Sequence, residues 1–527
     1  MQRRELLKSA ALTALAPAIR PLALLAQSPA PSSTAPSFST SNTQWQHAYD
    51  RALEVLAANV QVLPRFPGPV LIEGAEYAGI WQECGPHESL VYSLFRPDVA
   101  RNTHMTFFAL QREDGQLPAN NKRSETGFGQ IQMVVPIAAT AWELAHATGD
   151  AELLKSAYDA CSRWDAWLMR YRNTRGTGLI EGFCTYDTGM DNSPRWAGMP
   201  RQCPDKDARK CAPVPTLPRL CPDLSATTYG ARIALAALAR ALGKNSDADQ
   251  WLDRAEALRK LILEKLYVPE DAAFYDLDAQ NHFVKINCDI LSRVCGEHVV
   301  DQKTFDTLWS RQLGNPHAFW SPYPLPSSAI NDPTFVRPIP RNSWGGPSQA
   351  LTALRAGRWF DHYHRSAEFA HMMEQWCNAI LRDPSFRQQL DPLTGEFTQS
   401  GSASYSPCAL VLYDYTWRLA GVRRQSDELH WNLNPDCPAA QNGIFRVPVD
   451  HTGASAELRY LPHSAELRIQ NRPIAYIEGC ARLITDLKGT PRFLVGTATT
   501  VTTIRFRLAG QPSHPLSLAP NERKSLS

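Results

Sequence analysis

The chain has 527 residues, 43% of them hydrophobic and 20% charged, with 54 basic against 52 acidic residues for a formal net charge of +2. This is ordinary composition for a folded globular protein, and the near balance of charge leaves no basic face or stripe of the kind nucleic-acid binding requires, so no nucleic-acid partner is expected. The body of the chain has no stretch of about 18 apolar residues, so no stable membrane insertion is expected after signal cleavage.

Residues 1–30 read as an export signal. Arg3 and Arg4 precede Glu5, Leu6, Leu7 and Lys8, and an apolar run from Ala10 to Ala26 comes next. A twin arginine ahead of such a run resembles a twin-arginine export signal and predicts a periplasmic or secreted protein. Residues 31–44 are rich in Ser, Pro, Thr and Ala and read as a flexible lead-in. From 45 to about 425 apolar residues recur every three to four positions, which predicts helices over 52–62, 89–110, 132–148, 151–170, 225–242, 248–266, 284–299, 304–313, 348–358, 366–382 and 407–419. Several of the intervening loops are long and rich in Gly, Pro and aromatic residues, and such loops carry function when a rigid scaffold holds them. From Trp431 the helical period gives way to alternation, as in Phe445 to Val449, Ala456 to Tyr460 and Val501 to Leu508. Short strands separated by turn signals predict a small all-β domain, a sandwich or meander, over 430–515. Of twelve cysteines only Cys203, Cys211 and Cys221 cluster, in a loop rich in Pro, Arg and Asp. An oxidising compartment permits a disulfide among them, whereas their wide spacing disfavours zinc.

The segment Tyr186-Asp187-Thr188-Gly189-Met190-Asp191-Asn192-Ser193-Pro194-Arg195-Trp196 lies in one of the long loops. A carboxylic acid beside an aromatic wall is what glycoside cleavage needs, because apolar surroundings raise its pKa and let it hold a proton for the leaving oxygen. Taken alone, the same segment reads better as an Asx-turn in which Asp191 only caps the next stretch of backbone.

The segment does not stand alone. Gly189 to Trp196 resembles the acid-bearing loop of a clan of (α/α)6 glycoside hydrolases that contains processing α-glucosidase and mannosylglycerate hydrolase. Trp81-Gln82-Glu83-Cys84-Gly85-Pro86-His87-Glu88 is similar to the clan's early Trp-containing loop. Asp114-Gly115-Gln116-Leu117-Pro118, Phe274-Tyr275-Asp276, Ser343-Trp344-Gly345-Gly346-Pro347 and Asp391-Pro392-Leu393-Thr394-Gly395 match further clan segments in the same order. The resemblance implies a mainly α fold, an (α/α)6 toroid over 45–425 followed by the small C-terminal all-β domain. It also implies an α-linked glucoside or mannoside as substrate, net inversion, and Asp191 as general acid. A carbohydrate is the expected partner, with no cofactor and no metal.

The chain departs from the clan where the general base belongs. In the clan a Glu stands four residues before the Pro of the last segment, and the position here is Gln388. An amide cannot take a proton from water, and inversion needs a carboxylate about 6.5–9.5 Å from the acid. Asp391 and Glu396 are the nearest carboxylates after Gln388, while Glu83 and Glu88 reach toward the same cavity from the early loop. Gly345 stands where the clan often has an Arg, with Arg341 as a substitute. Trp81, Trp196 and Trp344 are candidate platforms for the apolar face of a sugar, and Asn192 and Arg195 flank the acid. Two rival readings remain, one that keeps the fold and changes the chemistry and one of a different, non-catalytic class. One is a polysaccharide lyase or epimerase using Tyr405 or His87 as base. The other is a sugar-binding protein that lost its base at Gln388.

Overall fold

The computed structural model describes residues 36–338, 342–398, 403–449 and 454–526. The expected export signal, and Arg341, lie outside the described residues. Twelve α-helices succeed one another among the described residues: α1 (Thr43–Ala58), α2 (Gly85–Tyr92), α3 (Pro97–Ala109), α4 (Ile137–Thr148), α5 (Ala151–Tyr171), α6 (Pro222–Ala241), α7 (Asn245–Lys265), α8 (Ile290–Gly296), α9 (Gln302–Leu308), α10 (Ala350–Ala356), α11 (Ser366–Arg382) and α12 (Ser406–Ala420). Their ends obey local chemistry. Asn42 accepts from the Trp45 amide and starts α1 well ahead of the expected 52, as an N-cap should. The helix expected over 89–110 is two helices, because Pro97 cannot continue α2 but is well placed to begin α3. Gly149, at φ 69°, ends α4 in the left-handed region, and Asp150 caps α5.

Burial sets α8, α10 and α12 apart from helices such as α7. In α7 the buried residues are Ala248, Trp251, Ala255, Leu258 and Ile262, a single stripe at helical spacing. By contrast, all seven residues of α8 and of α10 are buried, as is all of α12 except Arg418. A helix hydrophobic on one stripe lies on the outside, and one buried all round lies within. The contacts agree. α2 touches α4, α4 touches α6, α6 touches α8, α8 touches α10, α10 touches α12, and α12 returns to α2, a closed cycle. Odd-numbered helices pack on its outside, α3 against α2, α5 against α4, α7 against α6 and α11 against α12. Connections leading into an even-numbered helix are long, such as 172–221 and 314–349, whereas those leading out are short, such as 242–244. The long loops therefore all enter the N-termini of the cycle.

The last helix ends at Ala420 and strands begin at Val422. A five-stranded sheet runs in the order 422–425, 428–433, 481–486, 491–495, 523–525. A seven-stranded sheet runs in the order 37–39, 444–448, 455–460, 465–469, 472–478, 502–508, 514–518, and neighbours in both are antiparallel. Part of the expected flexible lead-in is thus an edge strand: Ser37–Ser39 pairs with Ile444–Arg446, and Phe38 packs on Tyr49 and Phe445. Helix makes up only 38% of the described residues, so the fold is helix-rich with a C-terminal β region rather than mainly α.

Candidate functional site

The loop before α6 carries Asp191. Gly189, two residues earlier, adopts φ 60°, and a Cβ there would stand 1.4 Å from Glu83 Oε2. Only glycine supplies both the left-handed backbone and the room for that carboxylate. Glu83 comes from the loop before α2, so the acid loop and the early Trp loop are locked together at this point. The Trp344 amide donates to the Asp191 carbonyl (3.0 Å), bringing in the loop before α10. A side-chain relay joins them to the loop before α12. Asn342 Nδ2 donates to Asp191 Oδ2 (3.1 Å), Gln388 Nε2 donates to Asn342 Oδ1 (3.1 Å), and the Tyr77 hydroxyl donates to Gln388 Oε1 (3.2 Å). Both ends of the Gln388 carboxamide are thereby used, and it stands one residue away from the acid. Asn342 and Tyr77 have no signal in the sequence beyond lying close to the motifs.

Burial pushes the Asp191 carboxyl up to about 6, against the hydrogen bond from Asn342 and the positive charge of Arg201, which both favour the carboxylate. Burial likewise lifts Glu83 and Glu88 to about 7, with the Arg355 charge opposing it at both. Glu73, not singled out from sequence, is held well above the usual carboxylate range by burial and by the charges of Glu88 and Glu83. Four acidic groups thus share one interior region. Its walls carry polar atoms with no hydrogen-bond partner: Glu83 Oε2, both oxygens of Glu88, all three guanidinium nitrogens of Arg355 and one of Arg293. Buried polar atoms are normally satisfied by protein or water, so this cluster marks a space built for polar occupants, a water network or a hydroxyl-rich ligand.

Other expected site residues lie elsewhere. Asp391 Oδ1 accepts from the Leu393 and Thr394 amides, and Oδ2 accepts from Arg337 (3.1 Å), so it is a turn-former. Glu396 is exposed on the same turn. Neither is placed with Asp191. Arg195 does not line the cavity: its guanidinium is buried between Asp223 and Asp276, with four contacts of 2.6–2.8 Å. Trp196 is 2% exposed and donates through Nε1 to Thr188, a core position and no sugar platform. Asn192 is exposed and donates to the Asn342 carbonyl, bracing the loop. Trp344 is buried, with the Arg293 and Arg355 guanidinium carbons 5.1 and 6.0 Å from its ring. Trp81 remains partly open, edge-on to Tyr77. At Gly345 a Cβ would meet Pro194 Cδ at 2.7 Å and Val336 at 2.9 Å, so the acid loop itself occupies the space an Arg would need. Tyr405 donates to Glu73 (2.5 Å), and burial holds its hydroxyl well above the usual phenol range. That is the wrong direction for a lyase base.

A sequence profile of the mannosylglycerate hydrolase MGH1-like glycoside hydrolase domain matches residues 77–408, well over half of the chain. No curated protein matches it in sequence. Among solved structures, the GH63 mannosylglycerate hydrolase of Thermus thermophilus in complex with glucose superposes with a TM-score of 0.56 at 20% identity, covering 70% of this chain and 99% of that one. The GH78 family rhamnosidase of Bacillus sp. GL1 gives 0.57 at 11% identity, covering 84% of this chain and 40% of that one. Neutral trehalase of Saccharomyces cerevisiae gives 0.51 at 12%, covering 70% and 81%. At these identities the structures are similar in fold alone.

Proposed function

Since the chain belongs to the mannosylglycerate hydrolase MGH1-like glycoside hydrolase family and is a glycosidase, we propose that it hydrolyses an α-linked glucoside or mannoside with net inversion, Asp191 protonating the leaving oxygen. The position of Asp191 carries this assignment. It stands on a long loop entering the helix cycle, is lifted to about 6 by burial, and takes its hydrogen bond from a neutral donor, Asn342. A carboxyl so placed keeps its proton under mildly acidic conditions and surrenders it when the aglycone departs.

Inversion also requires a carboxylate to take the proton of the attacking water. Gln388 accepts a hydrogen bond from water but not its proton. With Asp391 in a turn and Glu396 exposed, we place the base among Glu73, Glu83 and Glu88. Glu83 comes first, because its Oε2 is unpartnered and lies against the acid loop. We read the closed cycle of even-numbered helices as the inner ring of an (α/α)6 toroid, which substrate enters from the end bearing the long loops. The twin arginine and apolar run at the N-terminus support an exported enzyme, and no described helix is long and apolar enough to cross a membrane.

The test is a panel of α- and β-linked glucosides and mannosides, with proton NMR in the first minutes of reaction. Release of the β-anomer from an α-linked substrate is expected. Initial release of the α-anomer overturns inversion, and inertness toward every α-linked sugar overturns the substrate class. Azide restoring turnover to Glu83→Ala, but not to Glu73→Ala or Glu88→Ala, identifies Glu83 as the base.

A further inference from the structure

We propose that Cys184 and Cys203 are joined in a disulfide that closes the acid-bearing loop into a covalent ring. The two sulfurs lie 3.7 Å apart, and both residues are buried. The backbone already brings the two arms together beside them: the Thr185 amide donates to the Pro200 carbonyl (2.9 Å) and the Tyr186 amide to the Arg201 carbonyl (3.1 Å). The Cys203 amide is fixed in turn on Gly129 (3.0 Å). A disulfide needs these sulfurs to close to the bonded distance of about 2.05 Å. The segment enclosed, 185–202, holds Asp191, Asn192 and Arg195.

The sequence points instead to pairing among Cys203, Cys211 and Cys221. Cys221 is turned away, its thiol donating to the Arg219 carbonyl (3.5 Å) beneath Gly182 and Trp196. Cys211 packs against the Cys184–Cys203 pair and is half-buried. The two sulfurs also stand close enough to Asp187 to suggest a metal site. That carboxylate is already saturated by Arg172 (2.5 and 3.1 Å) and by the amides of Ile131 (2.9 Å), Phe183 (2.7 Å) and Cys184 (3.2 Å). A cation would have to displace the guanidinium, whereas disulfide formation leaves this network intact.

The oxidant is a disulfide, either oxidised glutathione or the active-site disulfide of a thiol–disulfide oxidoreductase. The thiolate of one cysteine attacks it and releases one thiol. The other cysteine, losing its proton, attacks the mixed disulfide and releases the second. Two hydrogens and two electrons pass to the oxidant, and one S–S bond forms while one breaks. An oxidising compartment favours the product, and a ring of this size removes conformational freedom from the unfolded chain. Because the readout is covalent, the outcome is independent of whether Asp191 is the acid.

The test uses the full chain purified without reductant, equilibrated with oxidised glutathione, then denatured in excess alkylating agent and digested. The expected result is one peptide pair joined through Cys184 and Cys203, two hydrogens lighter than the separate peptides. A reductant should lower Tm by a few degrees in the parent and leave the doubly substituted Cys184→Ser, Cys203→Ser chain unchanged. Alkylation of both cysteines in the oxidised sample overturns the proposal. So does a cross-link involving Cys211 or Cys221, or stoichiometric zinc that protects both thiols until chelation.

Discussion

Asp191 and Gln388 are held by the same small residue, Asn342, which donates to one and accepts from the other. A donor to a carboxylate favours its ionised form, so Asn342 lowers the pKa of Asp191 against the larger upward push of burial. With the acid at about 6 and the proposed base Glu83 at about 7, the form with a protonated acid and an ionised base is a minority, and kcat/KM should peak between the two values and fall on either side. Asn342→Ala removes the donor, lifts Asp191 toward Glu83 and should move the acid-side limb of that bell to higher pH, which a pH–rate profile of the two proteins checks. Glu83 couples folding stability to pH. Its folded pKa of about 7 stands above the ordinary value of 4.5. The stability it contributes is therefore complete below about 4.5 and is lost as pH rises through 7. Glu83→Gln escapes that loss, and relative to the parent it should gain up to about 3 kcal/mol between pH 5 and pH 8 in denaturant unfolding. At this scale the sequence speaks clearly where a motif fixes a backbone, as at Gly189 and Asp191. It fails where a charged side chain has two destinations. Arg195 beside an acid reads as a substrate contact, but Asp223 and Asp276, the partners that bury it, come from distant segments that no local pattern connects.

Those distant partners define the acid loop as an element. Arg195 ties it to the first turn of α6 through Asp223 and to strand 276–277 through Asp276. Removing one member of a buried ionic cluster leaves the others uncompensated. Arg195→Met should cost about 3–5 kcal/mol of stability, measurable by thermal or denaturant unfolding, while a structural role limited to packing would cost far less. The helices themselves are legible because apolar periodicity is a local signal, and the stripe of α7 is an example. Boundaries are less so. Pro97 splits a continuous periodic run between 89 and 110, and Pro136 delays α4 to Ile137. Ser37–Ser39 shows no strand pattern of its own; its pairing comes from an edge more than 400 residues away in sequence.

Across the whole molecule, the helical and β regions share one continuous core that includes Tyr49, Trp417, Trp431 and Phe445. Trp417 meets Phe445 edge-on at 5.4 Å, Asn432 donates to the Trp417 carbonyl (3.1 Å), and Arg482 pairs with Asp361 (2.9 Å). Shared burial on this scale couples the parts, so a single cooperative unfolding transition is expected by calorimetry, and a chain ending at Gly421 should be insoluble or unfolded. Two resolved transitions would contradict this. The cycle of six inner helices is not legible as such, because each helix reports only its own apolar face and not the neighbour that face meets.

The role of Asp191 is tested most directly by comparing Asp191→Asn with the parent on two α-glycosides, one with a poor leaving group and one with an activated dinitrophenyl leaving group. A general acid matters only where the departing oxygen needs a proton. The expected result is a loss of about 10²–10⁴-fold on the poor leaving group and a much smaller loss on the activated one. Equal losses on both substrates, or no loss on either, would contradict Asp191 as the proton donor.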